Sequence, residues 1–183
     1  MSLNGVVSSR FAVAIHVLLF LSWNEGIPTS SSRIAGSVNT NPVVVRRLIS
    51  ALREAGIVNV QQGAEGGAFL ARPIEEIRLS EVYLAVEKSH LFSGHPQLPN
   101  AECLIGRNVP SVLQGVFDTA EAAMLHALYD FTLGSVWREL AQRVQDEASA
   151  GSEEASAALA NIHVLLGRTG MVACSQEQVK ELS

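Results

Sequence analysis

Two adjacent arginines lie near the start of a predicted helix, among side chains that could read a nucleic acid. Arg46 and Arg47 can each hold a phosphate or a guanine edge through two parallel hydrogen bonds. A valine at the same helix end could contact a thymine methyl group, and the helix N-terminus itself attracts phosphate. The residues that would carry this chemistry are Thr40, Asn41, Val43, Val44, Arg46 and Arg47.

The helix that positions these residues is predicted over residues 42–55. Asn41 belongs to a residue type that caps helix N-termini, and Pro42 suits the first helical position, where its missing N–H costs nothing. Gly56 is typical of a helix C-terminus. Apolar residues at intervals of three and four predict one buried face. They are Val45, Leu48, Ile49 and Leu52.

Two further helices are predicted ahead of this one. The first covers residues 8–23, capped by Ser8 or Ser9, and the second covers residues 31–36, followed by a tight turn at 37–40. The inner face of the first helix is predicted to hold Phe11, Ala14, Ile15, Leu18 and Leu19. After the third helix, β-rich stretches at 57–62 and 68–71 enclose a glycine-rich turn, which predicts a hairpin.

Three helices followed by a glycine-tipped hairpin predict a winged helix-turn-helix, so the expected fold is mainly α with a small β-hairpin wing. In this fold the third helix enters the major groove of DNA, and a glycine-rich wing tip can approach the adjacent minor groove. The predicted DNA-binding residues outside the third helix are Ser32, Gln62, Gly63 and Gly66. The alternative is a winged helix that serves protein interactions, with its two arginines on a solvated face.

The rest of the chain is predicted to be helical around one long loop. A helix over residues 79–89 leads into a loop that extends to residue 108. A long helix follows from about residue 110 to residue 129, and another begins near Thr132. The long helix carries an apolar stripe of Val112, Leu113, Val116, Ala120, Ala123, Met124, Ala127 and Leu128. Residues 148–157 indicate a linker.

The composition excludes several classes of protein. With 183 residues, 48% apolar and 17% charged, the chain can bury a sizeable core and is not intrinsically disordered. Its net charge is −5, yet residues 1–74 hold six arginines against three glutamates, so the first part alone suits an anionic partner. The apolar stretch 11–21 is too short to span a bilayer, and two cysteines make no disulfide framework. We expect a cytoplasmic protein with no membrane partner.

Several motifs occur together in a specific order along residues 5–145. They are Ser9-Arg10-Phe11-Ala12, Ile34-Ala35, the stretch LISALREAG at 48–56, Ile57-Val58, the glycine-rich stretch 63–71, Leu79-Ser80-Glu81-Val82, Ala85-Val86-Glu87, Cys103-Leu104-Ile105-Gly106 and Thr132-Leu133. In this order they resemble the Rrf2 family of bacterial winged helix-turn-helix transcription regulators. Two residues depart from the family pattern: Gln62 replaces an arginine that often precedes the first wing glycine, and Val44 replaces a frequent aromatic residue.

The resemblance implies a homodimer that binds double-stranded DNA at an inverted repeat, with the long helix crossing its mate. The alternative for that helix is an ordinary place in the core of one chain. We accordingly divide the chain into a winged helix-turn-helix DNA-binding domain at 1–76, a linker loop with dimerisation helices at 77–145, and a C-terminal extension of unknown role at 146–183.

The resemblance also raises the question of a cofactor. Iron–sulfur members of the family hold their cluster with three closely spaced cysteines in the loop before the dimer helix. Here that loop contains only Cys103, and Cys174 lies 71 residues later, so no iron–sulfur cluster and no other cofactor are expected. A mixed-ligand site with His90, His95 and Glu102 is conceivable, although solvated loop histidines fit the spacing better. Cys103 could be a redox switch or a small buried apolar side chain.

The sequence therefore predicts a dimeric, sequence-specific DNA-binding regulator, expected to repress by reading an inverted repeat with the helix 42–55 and the wing 57–72. The alternatives are a redox- or metal-responsive regulator acting through Cys103, and a winged helix that binds proteins instead of DNA. An enzyme is not expected, because the sequence has no phosphate-binding loop, nucleophile elbow or HExxH motif.

Overall fold

A computed structural model describes residues 9–159 apart from residues 64, 93, 95 and 96. The described residues form two compact units, with the boundary between Leu133 and Gly134. Ser8 and Cys174 lie outside the described residues, as do residues 160–183 of the predicted C-terminal extension. Within the described part of the chain, none of the helices has the length and apolar character needed to cross a membrane.

The first unit begins with three helices, α1 (Arg10–Trp23), α2 (Ser31–Val38) and α3 (Pro42–Glu54). The Asn41 side chain accepts a hydrogen bond from the Val43 N–H at 2.8 Å, which confirms the predicted cap of α3. The helix α2 is two residues longer than predicted, because Gly36 continues it and Asn39 ends it in the left-handed conformation at φ 54°.

The core of this unit forms where the helices pack together. All four predicted apolar residues of α3 are buried: Val45, Leu48, Ile49 and Leu52. The predicted inner face of α1 was partly wrong, since its buried residues are Ala14, Val17, Leu18, Leu21 and Ser22. The buried face is rotated about the helix axis relative to the predicted one, and Phe11, Ile15 and Leu19 are only half-buried. Nearly every residue of α1 is apolar, so the sequence pattern poorly defines which face packs inward.

The hairpin predicted after α3 is present as β1 (Val58–Gln61) and β2 (Gly67–Leu70), paired antiparallel. The segment before α2 joins this sheet, because Thr29 and Ala68 exchange two backbone hydrogen bonds, each 2.9 Å long. Gly67 allows this contact: a Cβ atom there would lie 2.4 Å from the backbone carbonyl carbon of Thr29. The hairpin is therefore attached to the chain that leads into α2.

Three helices follow: α4 (Leu79–Val86), α5 (Leu104–Tyr129) and α6 (Leu133–Ser149). The predicted end of the loop at residue 108 was wrong, because α5 begins at Leu104, six residues before Pro110. The Cys103 sulfur caps this start by accepting a hydrogen bond from the Gly106 N–H at 3.4 Å. Proline suggested a helix start, but the structure holds it in the second turn. The prediction of a linker at 148–157 was also partly wrong, because residues 153–159 are helical.

The start of α4 is tied to the end of α5 by backbone pairing. The Leu79 N–H donates to the Phe131 carbonyl at 3.0 Å, and the Leu133 N–H donates to the Ile77 carbonyl at 2.8 Å. The Arg78 guanidinium lies 4.9 Å from the centre of the Tyr129 ring, a cation–π geometry. These contacts fix the end of α5 against the winged helix-turn-helix within the first unit.

Glu81 stabilises the start of α4 through a charged hydrogen-bond network. Its carboxylate accepts from the Arg78 N–H at 2.9 Å and from the Arg72 guanidinium at 3.0 Å. Burial raises the pKa of Glu81, but these hydrogen bonds and the two arginine charges outweigh it and hold the pKa below its ordinary value. The folded state is therefore stabilised by the ionised form.

Glu81→Gln is expected to lower the free energy of unfolding at neutral pH by about 1 kcal/mol or less, because the carboxylate is partly exposed. Since the folded pKa is lowered, the wild-type advantage is complete above the unfolded pKa and disappears as pH falls through the folded pKa. Urea unfolding between pH 7 and pH 3 measures this. Glu76→Gln, at an exposed neighbouring carboxylate, is the control; a difference from wild type that does not change with pH would contradict the assignment.

Candidate nucleic-acid interface

The exposed face of α3 holds the residues that the sequence predicted to contact DNA. Val43 and Val44 are 43% and 39% exposed, and Arg46 and Arg47 are also exposed. The opposite face is the buried stripe that packs into the core, so these side chains are directed outward by the same periodicity that fixes the helix. The N-terminus of α3 carries Asn41 as an exposed cap and Thr40 as a half-buried turn residue.

The turn between α2 and α3 sets where the start of α3 lies. The Thr40 N–H donates to the Ala35 carbonyl at 3.0 Å, which closes the end of α2. The Ser30 side chain accepts from the Arg33 N–H at 3.3 Å and caps the start of α2. Ser32, predicted to contact DNA, is exposed in the first turn of α2.

A groove of about 410 Å³ separates α3 from the hairpin and the start of α2. Arg46 and Arg53 line it, and the Arg46 guanidinium donates to the Ser31 hydroxyl at 3.3 Å. Sequence reasoning missed Ser31 and Arg53 as members of this surface. Arg53 follows Arg46 by seven residues, about two helical turns, so the sequence already indicates that both lie on one side of the helix. The contact between Arg46 and Ser31 depends instead on how α2 packs against α3.

The wing residues predicted to contact DNA lie at the tip of the hairpin. Gln62 and Gly63 are exposed, and Gly63 has a φ of 115°, a conformation that favours glycine. Gly66 is half-buried, and its N–H donates to the Gly63 carbonyl at 3.0 Å. A Cβ atom at Gly66 would lie 2.4 Å from the Gln61 carbonyl oxygen, so a larger residue would distort the turn.

The described part of the loop before α5 does not bring together a set of ligands for a cluster. Cys103 is exposed, and His90 Nδ1 lies 3.1 Å from a carboxylate oxygen of Glu121. Among the residues that the structure describes, no three His, Cys, Asp or Glu side chains come close enough to share a metal ion. His95 lies outside the described residues. The described part of this loop therefore does not fit the three-thiolate pattern of an iron–sulfur site.

The long helix α5 leaves most of its predicted apolar stripe on the surface. None of its 26 residues is buried. Val112 is 65% exposed, Val116 is 56% exposed and Leu113 is 41% exposed. Two rings of the helix are engaged: Phe117 stacks on Phe92 with their centres 4.9 Å apart, and the Tyr129 ring lies under Arg78. The exposed part of the stripe is thus an apolar surface outside the core that the described residues form.

A third helix exposed beside a hairpin wing, with arginines on its outer face, defines the class of winged helix-turn-helix proteins. A family model for Rrf2, described as an iron-dependent transcriptional regulator, matches residues 7–139. The chain belongs to the Rrf2 family of transcription regulators, as the ordered motifs of the sequence predicted. This family consists of regulators and not enzymes, in agreement with the expectation from the sequence.

Relatives and solved structures agree with this assignment. YwnA of Bacillus subtilis (strain 168), provisionally named an HTH-type transcriptional regulator, is 42% identical over 136 residues, which are 74% of this chain and 99% of YwnA. A crystal structure provisionally described as a DNA-binding protein is 41% identical, with a TM-score of 0.57, over 70% of this chain and 98% of that one. A provisionally named transcriptional regulator from Lactobacillus plantarum shares the fold at 22% identity, with a TM-score of 0.65, over 79% and 99% of the two chains.

Proposed function

We propose that this protein is a cytoplasmic homodimeric repressor that binds double-stranded DNA at an inverted repeat. In this proposal the third helix, over residues 42–55, reads the major groove, and the wing, over residues 57–72, contacts the adjacent minor groove. The observation that carries it is the outer face of α3, where exposed valines and arginines stand at a capped helix start beside the wing. The same surface could serve a protein partner, and the experiment below distinguishes the two.

The homodimer in this proposal forms through α5. Its support is the exposed apolar surface of Val112, Leu113 and Val116, on a helix with none of its residues buried. An isologous contact between two such helices would cover the surface and place the two winged helices on successive half-sites. Repression then follows from occupation of a promoter by the dimer.

The proposal includes no iron–sulfur cluster and no other cofactor, because the described loop offers a single thiol. A second candidate is a redox response through Cys103, favoured by the exposure of that thiol at the N-terminus of α5. Oxidation there would alter the start of the helix that is proposed to form the dimer. The comparison of reduced and peroxide-treated protein in the binding assay tests this candidate.

Fluorescence anisotropy on DNA from the region upstream of its own gene, with scrambled competitor at two salt concentrations, tests the proposed function. We expect binding that resists the competitor and weakens strongly with salt, because phosphate contacts release counterions. Equal and weak binding to both DNAs would contradict the proposal and favour a protein partner for this surface.

Arg46→Ala and Arg47→Ala are each expected to weaken operator binding by about 1–3 kcal/mol where the side chain reads a base. Arg46→Lys and Arg47→Lys keep the charge but remove the two-pronged hydrogen bonding, so they separate base reading from simple charge attraction. Arg143→Ala, at an exposed arginine paired with Glu139 on α6, makes the same change of net charge and is the control. Operator affinity equal to wild type in both alanine variants would remove these arginines from the interface.

A further inference from the structure

A second groove, of about 450 Å³, follows the other flank of the exposed face of α3. At 100° per residue, Arg46 and Arg53 lie on the flank that faces the wing, whereas Arg47 and Glu54 lie on the opposite one. Ser50 lies between the flanks and lines both grooves. The outer face of α3 is therefore bordered by a groove on each side.

Three cationic side chains from separate parts of the chain line this second groove. They are Arg10 in the first turn of α1, Arg47 on α3, and Lys88 two residues after the end of α4. All three are exposed. Val44 and Leu48 contribute apolar atoms to the lining between them. These cations are 37 and 41 residues apart along the chain, so only the packing of α1, α3 and α4 brings them together.

Two carboxylates belong to the described residues that line this groove or adjoin its lining in the chain. Glu54 is the acidic side chain among the described residues that line the groove, and its carboxylate accepts a hydrogen bond from the Ser50 hydroxyl at 3.4 Å. Glu87, next to Lys88, accepts from the Phe11 N–H at 3.2 Å. Among the described residues, the lining thus holds three cationic side chains and one carboxylate, a balance that suits an anion.

We propose that this groove binds the DNA backbone on the side of α3 away from the wing, with Arg10 and Lys88 as phosphate-contacting residues. The inference rests on the proposed function. A major groove about 12 Å wide is bordered by a phosphate strand on each side, so each flank of an inserted helix faces one strand. The wing flank offers Arg46 and Arg53 to one strand, and this groove offers Arg10, Arg47 and Lys88 to the other. Such contacts fix the register of the protein without reading sequence.

The test compares wild type with Arg10→Ala, Lys88→Ala and the double variant on operator and scrambled DNA over a range of salt concentrations. Each single variant is expected to lose about fivefold in affinity, the upper range for an exposed ion pair, and by a similar factor on both DNAs. The logarithm of the binding constant decreases linearly with the logarithm of the salt concentration. The magnitude of this slope is expected to fall by about one for each cationic residue removed. Arg143→Ala is the charge-matched control, and melting curves verify that each variant is folded.

A duplex with neutral methylphosphonate linkages beside the half-site gives a second readout. Wild type is expected to lose affinity on this duplex, while the double variant loses little more, because the contact is already absent. If wild type binds the operator and the variants match it in affinity and salt slope, the inference is overturned but the proposed function stands. If wild type does not discriminate operator from scrambled DNA, the proposed function fails and this inference fails with it.

A free anion in the same groove is the other source of the shared phosphate chemistry. Wild type and the double variant are therefore melted with inorganic phosphate in the absence of DNA. One outcome is that phosphate raises the melting temperature of wild type but not of the double variant, while the double variant keeps the wild-type salt slope on operator DNA. This outcome would assign the groove to a free anion and overturn the assignment to DNA.

Discussion

Val112→Asp combined with Val116→Asp is expected to give a folded monomer that binds the operator about a hundredfold or more weakly than wild type. The two side chains are four residues apart on α5, 65% and 56% exposed, and so lie on one face. In the chain alone the new carboxylates remain in water, so folding should be retained. Across a dimer contact they would be buried without partners, which is strongly unfavourable.

The loss of DNA affinity follows from the loss of the second half-site. In a dimer, binding of the first winged helix makes binding of the second intramolecular, which commonly adds two to four orders of magnitude in affinity. Light scattering coupled to size exclusion measures the oligomeric state, and anisotropy measures the operator affinity. Both measurements are made on the same protein preparation so that the two effects can be compared directly.

A matched control is available on the polar side of the same helix. Ser111→Asp with Gln114→Asp adds the same charge at exposed polar positions and is expected to change neither the oligomeric state nor the affinity strongly. A dimer retained in the valine double variant would exclude this surface as the interface. A monomer with wild-type operator affinity would show that dimerisation is not needed for binding.

Gly67→Ala is expected to destabilise the fold by about 2–4 kcal/mol and to weaken DNA binding with it. The added Cβ would lie 2.4–2.5 Å from three backbone atoms of Thr29, so the two chain segments must move apart. That movement strains or breaks the two hydrogen bonds between Thr29 and Ala68. Because these bonds attach the wing to the start of α2, both parts of the proposed DNA surface are displaced.

Gly36→Ala is the matched control for this substitution. Gly36 lies inside α2, with no neighbouring atom within 4 Å of an added Cβ, so alanine there is expected to stabilise the protein by up to about 1 kcal/mol. Thermal and denaturant unfolding of both variants measures the difference. Equal stability of Gly67→Ala and wild type would show that the backbone contact between Thr29 and the hairpin does not constrain the fold.

The features predicted best from the sequence are those that depend on neighbouring residues. The cap by Asn41, the start at Pro42 and the buried stripe of α3 all follow from chemistry within one helix, and the structure confirms them. The inner face of α1 was predicted less well, because a helix that is apolar on nearly every side has no clear periodicity. The start of α5 was misjudged because Pro110 also fits within the second turn of a helix.

The predicted DNA-contacting residues remain predictions that the binding experiments address, and the expectation of no cofactor also remains a prediction. The division into segments 1–76, 77–145 and 146–183 also remains a prediction. The fold and the family are a different matter, because ordered motifs over most of the chain define them and the family model matches the same region.

The sequence by itself determined the order of the helices, the hairpin, the outer residues of α3 and the family of the protein. Each of these is encoded by local spacing or by motifs in a fixed order. Only the tertiary structure decided that Thr29 pairs with Ala68, that α5 leaves most of its apolar stripe exposed, and that Arg10 and Lys88 meet Arg47 along one groove. These contacts join residues 37 to 41 positions apart, or depend on what a helix packs against, and local spacing does not specify such packing.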